Sequence, residues 1–600
     1  MSVDERIDGL RQWMKTQQID AVYLGTTDPH QGEEVAPHWC AAQWLSGFTG
    51  TSCFCAVTRT EAAFWTDGRY TAQMEKEVDG SIFQRMNTSL PDTPGWMDWV
   101  VQNTKTGAVI AMDGEVLSIA DFRKCDAFFR SNGRSICFEK DFLSGLWSDR
   151  IPIPNALIWE LDTCYAGEDR ISKISRVRKT MTSKGADCYL GCCLDDIAWL
   201  TNLRGGDHPL YPIFHGYTLF TPDKVFLFVD EGKISPKLQE ILLADGIEVR
   251  SRNEVFQLVS SLPEHGTILV DPYKTSVQLY SSIPETVRKI EGLDIVTDLK
   301  SRKNPIEQEN TRLSNTKECI AVLRFVRSIY AMMEKGPVTE WDLVQTLERC
   351  RRLDPEYLEP ANLAIIAYGE NAALPHYRPR KEAHSVLQPE GMLLFDICAH
   401  YLTGTTDLTR VIPLGPCTEE MKTDYTLTLK AHIALATQRF PYGITGNVLD
   451  GVSKSVLWNE YRHFGHGTGH GMGYMLYVHE GPGKIITEYA SCFPYAREVA
   501  LDAGMMFSNE PGVYKPGRHG VRLENDLFVQ EDTANEFGRF LQFETLTFFP
   551  FERSLILTDL LSEKERNWID SYHAETFQKL SPYLAPDEVK WLREATLPLA

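Results

Sequence analysis

Apolar positions recur along this chain with two periods, and the two kinds of block alternate. Ile7, Leu10, Trp13 and Met14 fall at helical spacing within residues 5–18, and Ala21-Val22-Tyr23-Leu24 follows as a buried strand. Residues 52–57 and 62–65 are spaced as the arms of a hairpin; a helix and a strand over 108–112 come next. The Pro-rich stretch at 151–154 closes this block. The order then starts again, with a helix over 171–184, a strand at 188–190, an acidic turn at Asp195-Asp196, and strands over 224–229 and 267–270. The second block loosely echoes the first, so a distant internal duplication is one reading; a short-period repeat is not. From about residue 304 the pattern changes. A long helix fits 306–334, with Leu313, Ile320, Leu323 and Val326 on one stripe, and another fits 338–350 with Thr339 as its N-cap. Strands broken by Gly, Pro and Asp follow, then helices over 562–579 and 587–595. The expectation is an α/β (α+β) chain of three closely packed domains, at 1–155, 156–303 and 304–600.

Charge narrows the partners. Lys and Arg total 61 against 82 Asp and Glu, a net charge of −21, and no basic patch offsets it. Such a chain repels phosphate backbones, which disfavours nucleic acid as a ligand. The cysteines are scattered from Cys40 to Cys492 without paired CxxC spacing, which suits a reducing compartment. No basic-then-apolar leader opens the sequence, and no run approaches ~18 apolar residues. These features predict a soluble, cytoplasmic protein without a membrane partner.

Three groups of residues carry the unusual chemistry. In the first, the apolar run from Met392 to Phe395 leads straight into Asp396, and Asp407 lies eleven residues on. A hairpin centred between Tyr401 and Leu402 would put the two aspartates opposite each other; Gly404 hints that the turn lies slightly later or that a bulge adjusts the register. The second group is Gly465-His466-Gly467-Thr468-Gly469-His470-Gly471-Met472-Gly473, with His479-Glu480 beyond it. The two histidines four apart are not a helical HExxH pair: Gly467 stands where its Glu would, and each glycine would cost a helix about 1 kcal/mol. This is a loop or extended segment whose backbone must come close to something. The third group holds Glu510, in Ser508-Asn509-Glu510-Pro511-Gly512, and Glu524, in Val521-Arg522-Leu523-Glu524. Taken singly, the carboxylates read equally well as ordinary strand-end groups. Together, four carboxylates and an imidazole balance two divalent cations, and such hard donors suit manganese, cobalt or zinc better than a thiolate site would.

The order Asp396, Asp407, His470, Glu510, Glu524 resembles the ligand series of the pita-bread metallopeptidases, which include methionine aminopeptidase, prolidase and aminopeptidase P. The resemblance is closest to the long, three-domain cytosolic aminopeptidases P (Xaa-Pro aminopeptidases) and covers nearly the whole chain. Trp65-Thr66-Asp67-Gly68-Arg69-Tyr70 is similar to a first-domain signature and Ile197–Gly205 to a second-domain one. Residues 465–471, Val478-His479-Glu480-Gly481-Pro482, Phe543-Glu544-Thr545-Leu546-Thr547 and the stretch 568–573 resemble the catalytic domain and its tail. One departure stands out: the family usually reads Asp-Ser-Gly at the first ligand, and here the residues are Asp396-Ile397-Cys398. Two larger side chains there could shift the strand or narrow the pocket, and a free thiol could make the activity sensitive to oxidation.

The resemblance implies two creatinase-like domains followed by a pita-bread catalytic domain, and release of the N-terminal residue from peptides with proline second. It implies two divalent metals, Mn2+ first and Zn2+ or Co2+ next, held by Asp396, Asp407, His470, Glu510 and Glu524, with a hydroxide bridging them as the nucleophile. Glu510 would also shuttle the proton. His466, His479 and His376, in Pro375-His376-Tyr377, would border the substrate as catalytic histidines. Arg522 and Tyr514 would orient the ligands from behind, and Arg69 would reach the substrate, in a homodimer. Prolidase, which accepts only dipeptides, is the nearest alternative enzyme. A catalytically silent interaction protein on the same fold is the alternative outside catalysis.

Overall fold

The computed structural model describes residues 1–139, 141–487 and 494–599, with the side chains of Arg69, Ala72 and Glu139 outside the description. Cys492 and the side chain of Arg69 therefore lie outside the described residues. The chain folds into two compact units: Met1–Glu160 with Arg170–His208 and Ile213–Val296, and Leu161–Asp169 with Pro209–Pro212 and Thr297–Ala600.

The first unit contains two six-stranded sheets. Across the first sheet the strands run Gln84–Asn87, Ala62–Thr66, Phe54–Thr58, Ala21–Leu24, Val109–Asp113, Ser135–Glu139. Across the second they run Ile247–Ser251, Val225–Val229, Gly216–Phe220, Cys188–Gly191, Thr267–Val270, Arg288–Glu291. Numbered along the chain, both orders are 4-3-2-1-5-6. In both, the first three strands are antiparallel neighbours and the outer pairings are parallel. The echo seen in the hydrophobic pattern is thus a repeated topology. Successive residues of the first sheet alternate between two cores, Val22, Val57 and Phe64 on one face, Ala21, Ala56 and Trp65 on the other. Asp195 and Asp196 do not form a turn. They occupy the first turn of the helix Leu194–Thr201, where carboxylates meet the positive end of the helix dipole.

The second unit is built on two further sheets. One has at its centre a hairpin of two ten-residue strands, Met392–Tyr401 and Gly404–Pro413, with Tyr357–Pro360 and Ile365–Tyr368 pairing along the other side of the first strand. The other is antiparallel, in the order Phe440–Pro441, Gly538–Thr545, Asn525–Asn535, Met506–Asn509, Gly469–Gly471, Glu480–Ile485. The long helix Pro305–Met333 starts at a capping box made by Asn304 and Glu307, with Pro305 at its first position. It buries Val322, Phe325, Val326 and Ile329 against Leu393, Phe395 and Ile397. The opposite face of the same strand packs Met392 and Leu394 against Tyr425, Leu429 and Ile433 of the helix Glu419–Ala436. That helix and Gly446–Trp458 stand in a region where the sequence pattern led us to expect strands alone. Among the described residues, no helix is long and apolar enough to cross a membrane.

Candidate metal centre

Strand alternation explains why an apolar run ends in an aspartate. Positions 392 and 394 face the core, and the same face, continued to 396 and 398, presents Asp396 and Cys398 beyond the edge of that core. The hairpin turn is centred between Leu402 and Thr403, one residue later than a direct Asp–Asp pairing requires. Asp396 therefore faces Thr409, and Asp407 faces Cys398. The register moves by two, so both aspartates keep the same face and sit diagonally instead of opposite. The ladder is unbroken from Met392↔Pro413 to Tyr401↔Gly404, so Ile397 and Cys398 do not displace the strand. Ile397 points into the helix-facing core, and the Cys398 thiol donates to Asp407 Oδ1 at 3.1 Å.

The glycine-rich segment is extended, and its glycines are there for close approach. A Cβ on Gly469 would lie 2.0 Å from the Ser508 carbonyl oxygen, and one on Gly471 2.3 Å from that of Glu480. Between His466 and His470, Thr468 is pinned by the buried Asp450, which accepts from its N–H at 3.0 Å and its hydroxyl at 2.6 Å. His470 Nδ1 lies 3.0 Å from the Gly471 carbonyl, which can only accept, so Nδ1 carries the proton. Nε2 is left as a lone pair 3.6 Å from both Asp407 Oδ2 and Glu510 Oε1. Burial, reinforced by His479, pulls the His470 pKa down to about 4, keeping the ring neutral. The His479 ring stands edge-on to it, with centroids 4.3 Å apart.

Glu524 arrives from the other sheet. Its amide donates to the Thr409 carbonyl at 3.1 Å, and the Thr409 hydroxyl donates to its Oε2 at 2.6 Å. Glu510 follows the strand Met506–Asn509, with its amide bound to the Thr468 carbonyl at 2.7 Å. Asp526, two residues past Glu524 and fully buried, accepts the Asp407 amide at 3.0 Å. Arg522 Nε donates to Asp396 Oδ2 at 3.1 Å, and Nη1 donates to the Tyr514 hydroxyl at 2.7 Å. Tyr514 lies 2.8 Å from His466 Nε2, and His466 Nδ1 lies 2.8 Å from the Gly467 carbonyl. A single donor chain thus runs Arg522, Tyr514, His466, Gly467. The two nitrogens of His466 are engaged within the protein, and Nδ1 stands 4.0 Å from Glu510 Oε2. His376 is exposed in the turn after Pro375, whose carbonyl accepts from Arg522 Nη2 at 3.3 Å.

Four carboxylates surround this point with one guanidinium among them. Burial raises the Asp396 and Asp407 pKa values, Arg522 opposing at both, and burial with Asp407 as neighbour raises that of Glu524 well above the usual range. The ligand atoms of Asp407, His470 and Glu524 lie within 4.8 Å of one another. A buried excess of anionic oxygens, a neutral imidazole aimed at it and, among the described residues, few cations to offset it together fit divalent metal ions. The sequence reading did not single out Thr409, Asp450 or Asp526. Asp526 alone carried a signal, a carboxylate within an apolar strand.

Comparison with known proteins agrees with this architecture. The sequence profile of metallopeptidase family M24 matches residues 316–531, and that of its C-terminal region matches 539–599. The creatinase/prolidase N-terminal domain matches twice, at 6–137 and 149–307. A probable Xaa-Pro aminopeptidase P of Talaromyces marneffei is 34% identical, the alignment covering 100% of this chain and 93% of the relative. Aminopeptidase P2 of Arabidopsis thaliana is 32% identical over 100% of this chain and 89% of its own. The crystal structure of an X-prolyl aminopeptidase from Caenorhabditis elegans, described as a cytosolic enzyme with a di-nuclear active site, superposes with a TM-score of 0.93 at 29% identity over the whole of both chains. Two creatinase-type domains thus precede a pita-bread catalytic domain, and the chain belongs to the Xaa-Pro aminopeptidase P family.

Proposed function

We infer that this chain is a metal-dependent aminopeptidase that releases the N-terminal residue from peptides with proline in second place. The observation that carries the reading is the convergence of Asp396, Asp407, His470, Glu510 and Glu524 from two sheets on one cation-poor point. These five residues would hold two divalent ions, with oxygen donors favouring manganese. Bound there, such ions supply Lewis acidity toward the peptide carbonyl and lower the pKa of water.

The remaining steps belong to the chain's own groups. Glu510 takes the proton of the attacking water on its carboxylate and returns it to the leaving proline nitrogen. His479, against His470, and His376, next to Pro375 in the chain, border the peptide. His466, held by Tyr514, fixes the wall beside Glu510. Arg522 holds Asp396 in place as it donates to Tyr514. Proline's tertiary amide has no N–H to satisfy, so an acceptor-free wall receives its ring. Alanine in its place would bring a donor with no partner, costing ~1–3 kcal/mol beyond the lost ring packing.

The test is kcat/KM on an Xaa-Pro tripeptide, its alanine counterpart, its N-acetyl form and an Xaa-Pro dipeptide, each with added Mn2+. The proline tripeptide should lead by a hundredfold or more. Equal cleavage of the alanine peptide, or cleavage of the dipeptide alone, would overturn the reading. We also propose domains at 1–155, 156–303 and 304–600, a homodimer and a cytoplasmic location. Limited proteolysis, sedimentation and fractionation respectively test these.

A further inference from the structure

The metal reading above rests on five ligands, and the geometry points to a sixth: we propose that Cys398 places a sulfur donor on the cation held between Asp396 and Asp407. The proposal deepens the two-metal reading and depends on it.

Position within the hairpin comes first. Cys398 is two residues past Asp396 on the same face of its strand and directly opposite Asp407 on the next. The ligand atoms of Asp396, Cys398 and Asp407 lie within 4.8 Å of one another, and so do those of Asp407, His470 and Glu524. Asp407 belongs to both triads, and its two oxygens divide between them. Oδ1 receives the Cys398 thiol at 3.1 Å, and Oδ2 faces His470 Nε2 at 3.6 Å. One carboxylate with a separate donor group at each oxygen is suited to two adjacent cations that share it as a ligand.

Cys398 is 4% exposed and forms no disulfide. Its hydrogen bond runs to a residue that itself faces the cation position. When a divalent ion enters, a metal–sulfur bond forms and the S–H bond breaks; the proton passes to the buffer, and no oxidant or second reactant is needed. The two cation positions then differ in kind. One sees carboxylates and an imidazole, and the other sees carboxylates and a thiolate, which favours softer ions such as zinc, cobalt or cadmium over manganese.

The full-length protein, stripped by chelator and reloaded with Co2+, tests this. Wild type should bind two cobalt ions per chain and show a sulfur-to-cobalt charge-transfer band in the near ultraviolet. Cys398→Ser, which keeps a donor to Asp407 Oδ1, should bind two cobalt ions without the band. Its preference for Cd2+ over Mn2+ should fall on the order of tenfold. A purely structural role for the thiol would weaken both ions alike and give no band. Two cobalt ions in wild type with no band would overturn the sulfur ligand and leave the two-metal reading standing. Fewer than two cobalt ions in wild type would overturn the two-metal reading, and the proposal with it. The wild-type spectrum decides the matter even if the variant folds poorly.

Discussion

At the scale of single residues, Asp407 has the most crowded role. Its amide is fixed by Asp526, one oxygen meets Cys398, and the other faces His470. Asp407→Ala removes charge and geometry together, so the purified variant should hold at least one metal ion fewer per chain; elemental analysis reads this directly. Tyr514 supports a different kind of prediction. Tyr514→Phe cuts the donor chain between Arg522 and His466 and leaves every proposed ligand in place. Metal content should stay as in wild type, and kcat should fall about tenfold, the worth of one charge-assisted hydrogen bond. A metal loss in this variant would show that the tyrosine acts on the ligands instead.

At the scale of elements, the His479 segment rests on an ion triplet. Glu480, whose side chain is 2% exposed, receives Lys300 at 3.0 Å and Lys303 at 2.7 Å. Glu480→Gln leaves two buried ammonium groups facing a neutral amide, a break worth ~3–5 kcal/mol. The variant should melt well below wild type, and the losses in activity and stability should appear together. The elements themselves were unevenly legible. The helix Pro305–Met333 and the strand feeding Asp396 announce themselves, the one by an apolar stripe and the other by an apolar run ending in a carboxylate. The helix Glu419–Ala436 does not, because Asp424, Tyr425, Thr426, Leu427, Thr428 and Leu429 are all buried in succession, and a helix covered all round shows no stripe. The glycines near His470 could be read as close-approach positions, yet not which backbone they approach. The diagonal placement of Asp396 and Asp407 turned on one residue of turn length, which a hydrophobic pattern does not specify because a register shift of two keeps every side chain on its face. Asp450 was hidden for another reason: it sits on a helix, and its partners at Thr468 and Thr487 are far along the sequence.

At the scale of the whole molecule, the acidic centre couples stability to pH and to metal. A carboxyl whose pKa rises on folding binds more protons folded than unfolded. Its stabilising contribution is complete below the unfolded value near ~4 and is lost as pH rises through the folded value. Asp396, Asp407, Glu524 and Asp526 all shift this way. His470, at about 4, lies below its unfolded value of ~6.5, so its cost appears as pH falls between the two and is absent above ~6.5. Chelated protein should therefore lose stability as pH is raised from ~4, with the His470 contribution opposing this up to ~6.5, and saturating metal should flatten that trend; scanning calorimetry of both forms checks it. The proposed ligands also come from different sheets: Asp396 and Asp407 from the hairpin, His470, Glu510 and Glu524 from the other side, with the Thr409–Glu524 bridge where they meet. Ions gripped from both banks would act as rivets through a seam. On this view chelation is mechanical as well as chemical: amide exchange at Glu524 and His470 should quicken along that line, while the core beneath the long helix stays closed.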